Sequence, residues 1–112
     1  MTHDMTTIVH PLNLLVSDEL DRASKIYGAV FASPHEGYGV LAEEVLEVQN
    51  ENAKIVSGCQ TLLAFIQQED MQKVMDTADA IRDAAVNAAA ECIQVAAMCH
   101  KMRRTVCHET AV

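Results

Sequence analysis

Four carboxylates crowd one short stretch of the chain, His35-Glu36-Gly37-Tyr38-Gly39-Val40-Leu41-Ala42-Glu43-Glu44-Val45-Leu46-Glu47. On a helix, at about 100° per residue, Glu36, Glu43 and Glu47 fall within about 40° of one another, and Glu44 lies less than a quarter-turn away. Like charges one turn apart cost a few tenths of a kcal/mol each on an exposed helix, and more where they are desolvated. A merely solvated face would interleave lysines, yet the first lysine after this stripe is Lys54. An acidic stripe of this kind suits a side chain set that holds a cation.

A second polar stripe follows much later, through Asp76, Ala80, Asp83, Asn87, Glu91 and Gln94. Asp83, Asn87 and Glu91 are spaced by four, and Gln94 lies one turn beyond on the same side. The neighbours of Glu91 are Ala and Ile, which puts its carboxylate at the margin of a buried surface, where a charge wants a partner. If the two helices pack antiparallel, Glu43, Glu44 and Glu47 face Glu91. Oxygen-only ligation of that kind suits Mg²⁺, or Mn²⁺, ions that keep waters and bridge to phosphates.

The elements that must position these acids are helices. The chain has 112 residues, one domain by length, with half of them apolar, 4% aromatic and no Trp, so its core is built from Ala, Val, Leu, Ile and Met. Four Gly and two Pro are too few to punctuate a β-sandwich or barrel. The expected fold class is all-α, a helical bundle with a long C-terminal helix.

Charge narrows the partners. A net charge of −8 and a pI near 4.9 speak against broad contact with nucleic acid, which needs clustered Lys and Arg. The one basic cluster, Lys101-Met102-Arg103-Arg104, reads as a complement to a helix C-terminal dipole. No segment reaches the length of about 18 uncharged apolar residues that a membrane span requires, and the N-terminus lacks the layout of a secretory signal. A cytoplasmic protein with no membrane partner is the expectation. Cys59, Cys92, Cys99 and Cys107 read as buried thiols in a reducing compartment. The Cys99-His100 and Cys107-His108 pairs would stand roughly 12 Å apart on a continuous helix, too far for one zinc ion.

Along the chain, residues 1–12 read as a loose arm, 13–106 as the helical domain and 107–112 as a tail. Helix one is expected from Asn13 to about Tyr27, with Leu14, Leu15, Leu20, Ala23 and Ile26 on its apolar side and Gly28 at its end. Ser33-Pro34 is the cleanest helix start, a capping hydroxyl followed by Pro at the first helical position. Helix two is expected from there to about Ile55, carrying Leu41, Val45 and Val48. Gly37 and Gly39 in its first turns cost roughly 1 kcal/mol each, which close approach of another helix or a bent start would explain. Ser57-Gly58 reads as a break before a short helix over 59–68. Beyond it, Met71, Val74, Ala78, Ile81, Ala85, Ala88, Cys92, Val95, Cys99, Met102 and Val106 form a three-four alternation along one helix of about 30 residues or more. Its small residues imply close packing on a partner helix, and its length implies a bundle completed by homo-oligomerisation, as dimer or tetramer.

Ala42-Glu43-Glu44-Val45-Leu46-Glu47-Val48, followed by Ala90-Glu91-Cys92-Ile93-Gln94-Val95-Ala96-Ala97-Met98, resembles the MazG-like all-α nucleotide pyrophosphohydrolases, known by a paired E-x-x-E and E-x-x-D pattern. His35-Glu36-Gly37-Tyr38 and the segment from Glu91 to Met98 are especially similar to a phage and bacterial branch of that family, and the likeness covers about residues 13–103. It implies an oligomeric helical bundle that uses Mg²⁺ to cleave a nucleoside triphosphate to the monophosphate and pyrophosphate, in a house-cleaning role. Carried across, Glu44 and Glu47 match the first carboxylate pair and are the catalytic candidates. Glu43 is its acidic neighbour and Glu91 opens the second pair, with Asp83 as a further metal ligand. Gln94, Asn87 and Lys54 are the candidate substrate contacts, and Lys101 and Arg103 are further cations able to steer phosphates.

Two departures from the pattern stand out. Gln94 occupies the place of the family's last acid, and the 43 residues between Glu47 and Glu91 exceed the usual gap. Asp76-Thr77-Ala78-Asp79 would restore a more usual gap with two acids, in surroundings that match less well. An amide coordinates through its carbonyl oxygen but supplies neither charge nor a strong base. The alternative is therefore a catalytically inactive helical oligomerisation module of the same fold.

Overall fold

In the computed structural model, which describes residues 5–110 and side chains through residue 108, the chain is all-α. Three helices follow in order, α1 (Thr6–Tyr27), α2 (Pro34–Gln67) and α3 (Met71–Thr110), with no strand among the described residues. None of them is long and apolar enough to cross a membrane.

The chain divides into two compact units, residues 1–44 with 92–112, and residues 45–91. The first gathers α1, the start of α2 and the later part of α3 around a core of Val16, Leu20, Ala23, Phe31, Ala97 and Met98, flanked by Val40, Leu41, Ile93, Ala96 and Met102. Val16, Leu20 and Ala23 supply the buried stripe of α1 at spacings of four and three. Leu14, Leu15 and Ile26, expected on that side, are exposed, because the stripe is rotated by one to two residues from the one that Leu-rich composition suggested. The helix also begins at Thr6, so it runs through the segment read as an arm, with Pro11 inside it. Residues 1–4 of that arm lie outside the described residues.

α2 starts as its residues require. The Ser33 hydroxyl accepts the Glu36 backbone N–H at 3.1 Å, and Pro34 opens the helix. Gly37 sits where a Cβ would stand 2.6 Å from Met102 Cε and 2.7 Å from Phe31 Cδ2, so close side-chain packing accounts for it. Around Gly39 nothing lies within 4 Å of such a Cβ, and close approach does not explain that glycine.

The second unit is a hairpin of antiparallel helices, the rest of α2 and the first part of α3. The expected break at Ser57-Gly58 is absent, and α2 continues to Gln67. Gly58 instead marks a close approach, since a Cβ there would lie 2.6 Å from Ile81 Cγ1. Helix propensity lost at one glycine, about 1 kcal/mol, is offset by the packing it permits. The turn is closed by backbone bonds from Asp70 N–H to Phe65 C=O and from Glu69 N–H to Ile66 C=O, each 3.1 Å, with Glu69 at φ 55°. Asp70 then caps α3, its Oδ1 accepting the Lys73 N–H at 3.2 Å.

Along α3 only alternate members of the expected seam are covered. Val74, Ile81, Ala88, Val95 and Met102 are half-buried, whereas Met71, Ala78, Ala85, Cys92, Cys99 and Val106 are exposed. The covered stripe is completed by Thr77, Ala84, Glu91, Met98 and Thr105, a heptad rotated by one residue. The cysteines of this helix shift accordingly: Cys92, Cys99 and Cys107 are exposed rather than buried, and so is Cys59 on α2. α3 also extends to Thr110, through most of the segment read as a tail.

Candidate metal centre

Two helices bring three of the predicted acids together. Glu44 and Glu47 are one turn apart on α2 and so share a side of it. Within the hairpin, the register that seats Ile81 against Gly58 carries the pairing about three turns further from the turn, to Glu47 and Glu91. Glu44, Glu47 and Glu91 each offer a carboxylate oxygen, and these oxygens all lie within 4.8 Å of one another. Glu44 and Glu91 are half-buried and Glu47 is exposed. Among the described residues this is the one group of three or more His, Cys, Asp and Glu side chains that converges in this way.

The donor set fits a hard divalent cation. Mg²⁺ takes oxygens at about 2.0–2.1 Å, bound through a few carboxylates with waters and phosphates completing the shell. Three carboxylates at this spacing repel one another, and an ion of charge two removes most of that cost. The set contains no nitrogen or sulfur, which separates it from a zinc site.

The other candidates fall elsewhere. Glu43 is exposed and stands outside the trio. Asp83 is exposed and takes a 3.2 Å contact from Arg82 Nη2, so its carboxylate is committed to a surface pair rather than to the acids. Asn87 is exposed, and Lys54 is bound to Glu51 Oε1 at 3.1 Å on the surface of α2. Asp76 accepts a hydrogen bond from Gln72 Nε2 at 3.0 Å, and Asp79 lies 4.0 Å from Arg82, so neither member of that alternative pair joins the trio. Helical periodicity puts Asp83 and Asn87 on the side of α3 that carries Glu91, but both are exposed and neither belongs to the trio.

Gln94 is half-buried and belongs, with Glu44, to the wall of a cavity of about 510 Å³ in the first unit. Tyr27, Phe31, Glu36 and Lys101 also line it. Glu19 and Arg22 close one side as a bidentate pair, Arg22 Nε donating to Glu19 Oε2 at 2.9 Å. That hydrogen bond holds the Glu19 carboxyl below the usual carboxylate range, against the opposing effect of its partial burial and with help from the guanidinium charge. Lys101 is 4% exposed, and its ammonium stands 4.5 Å from the centre of the Phe31 ring. Sequence reasoning passed over Phe31 and Tyr27, because a lone aromatic in a loop or at a helix end carries no periodic signal.

No family model, curated protein or solved structure matches this chain significantly.

Proposed function

We propose that this chain is a Mg²⁺-dependent nucleoside triphosphate pyrophosphohydrolase of MazG-like type, which cleaves a ribo- or deoxynucleoside triphosphate to the monophosphate and pyrophosphate and works as a homo-oligomer. The observation that carries the reading is the convergence of Glu44, Glu47 and Glu91 within 4.8 Å, on the residues that carry the E-x-x-E and E-x-x likeness. The adjoining cavity supports it, since Glu44 belongs to both trio and cavity wall, and about 510 Å³ falls in the range of small-ligand sites.

When bound, the cation supplies charge neutralisation for the polyphosphate and for the oxygens that gain charge as the bond to the leaving group breaks. Glu44, Glu47 and Glu91 would hold it. Water attacks the α-phosphorus, a new P–O bond forms, and the bond between the α-phosphorus and the bridging oxygen breaks, with pyrophosphate leaving on that electron pair. Glu47, the exposed member of the trio, is open to solvent and accepts the proton that the water gives up. Gln94 contributes an amide to the cavity wall and orients ligand by hydrogen bonds without adding charge.

Purified protein freed of metal, then supplied with Mg²⁺ and a panel of nucleoside triphosphates, tests this directly. Pyrophosphate release should fall by about a hundredfold or more in Glu44→Gln and in Glu47→Gln, each of which removes a charged ligand and leaves the shape. Release that persists unchanged in both variants removes this centre from the chemistry. Gln94 in place of an acid favours the second reading, a silent helical assembly module. It predicts no release with any nucleotide and no change in melting temperature on adding Mg²⁺ or Mn²⁺, whereas an ion that binds the folded state alone raises it.

A further inference from the structure

Lys101 is the one charged side chain in the buried set of the described residues, at 4% exposure, and it lines the cavity that Glu44 also lines. Lysine is almost never buried to this extent unless it is paired. No carboxylate among the described residues stands within ion-pair distance of its ammonium, which lies over the face of Phe31. A ring face satisfies part of a cation and leaves its N–H donors for another acceptor.

The surroundings hold this arrangement in place. Thr105, 1% exposed, donates from its hydroxyl to the Lys101 backbone C=O at 2.8 Å and accepts the Phe31 backbone N–H at 2.9 Å. One hydroxyl thereby ties the loop that carries Phe31 to the helix that carries Lys101. Gly37 leaves the room that the Phe31 ring and Met102 occupy. The second cation of the cavity, Arg22, is engaged by Glu19, which leaves Lys101 as the cavity cation with no carboxylate partner among the described residues. Gln94 and Lys101 are seven residues apart on α3, two turns or about 10 Å of axial rise, and lysine side chains on a helix lean back toward its N-terminus, in the direction of Gln94.

We propose that Lys101, braced on Phe31, is the anion-holding residue of this cavity and receives phosphate oxygens of the ligand's polyphosphate tail. The identity of the anion rests on the triphosphate reading above; the buried ammonium over Phe31 does not. The ligand thus meets a cation at each end of its charged portion, one held by carboxylates at Glu44 and one covalently part of the chain at Lys101. Besides Glu19, which Arg22 engages, the cavity is lined by Glu36 and Glu44, acids that would repel the tail without Lys101.

Calorimetric titration of the full chain with inorganic tripolyphosphate, with Mg²⁺ and again with a chelator, tests the assignment. Lys101→Met keeps length and apolar packing and should weaken binding about ten- to a hundredfold, as expected for a lost charge-assisted contact. Lys101→Arg retains the charge and should stay within about threefold of the native chain. Circular dichroism melting confirms that each variant is folded, and Lys101→Gln serves in place of Lys101→Met if that variant is not. Equal affinity in the native chain and the folded uncharged variant overturns the proposal, as does a native chain that binds no tripolyphosphate in either condition. Running Glu47→Gln alongside separates the two readings. If the metal centre fails, Mg²⁺ leaves affinity unchanged in native and Glu47→Gln chains while dependence on Lys101 persists. If Lys101 fails, affinity ignores Lys101→Met whatever Mg²⁺ does.

Discussion

At the scale of the residue, Glu69 shows how a single side chain can oppose its own backbone. It occupies the left-handed position that ends α2, at φ 55°, where an L-residue other than glycine costs about 1 kcal/mol or somewhat more. Among the described residues no side-chain hydrogen bond of Glu69 offsets this, and backbone groups close the turn. Glu69→Gly should therefore raise stability by about 1 kcal/mol, read as a higher midpoint in urea with an unchanged slope. A lower midpoint would mean that the carboxylate holds the turn in some other way. Glu44, by contrast, is a residue whose worth lies in its position, one turn from Glu47 and on the wall of the cavity.

Among the helices, three glycines of α2 separate propensity from packing. Gly39 faces open space, so Gly39→Ala should stabilise by about 0.5–1 kcal/mol through helix propensity alone. Gly58 lies against Ile81 and Gly37 against Phe31 and Met102, so alanine at either meets side chains that must move, at about 1–3 kcal/mol before the propensity gain is counted. Thermal melts should rank Gly39→Ala above the native chain and the other two below it. The Gly58→Ala loss should shrink when combined with Ile81→Ala, a coupling that a double-mutant cycle measures. Additive effects at Gly58 and Ile81 would show that the register of the hairpin does not rest on that contact.

For the whole molecule, the hairpin of residues 45–91 is the part that asks for company. Ala84 is its only fully buried apolar residue, while Val56, Leu63, Ile66, Met71, Met75 and Val86 are each about half exposed. Two helices alone bury too little to offset the entropy of ordering them, and a second copy supplying two more would cover such faces. Sedimentation should find a dimer or tetramer. Val56→Asp with Leu63→Asp, seven residues apart and so on one side of α2, should weaken its association by tenfold or more. A single monomeric mass at every concentration, with the native hairpin folded, would set the homo-oligomer aside.

The all-α class, the start of α2 at Ser33-Pro34 and the helical sides of Glu44, Glu47 and Glu91 were legible in the sequence, because composition, capping chemistry and periodicity are local properties that each helix expresses by itself. Three things were not. Gly58 reads as a break from its own propensity, and only Ile81 across the hairpin reveals it as a packing residue. Asp83 and Glu91 share one side of α3, and only the register of the hairpin selects Glu91 to meet Glu47. Lys101 reads as one member of a basic run near a helix end, yet packing buries it over Phe31. Periodicity assigns a residue its side of a helix, but which neighbour covers that side, and at what axial height, is decided by contacts between residues far apart in the chain.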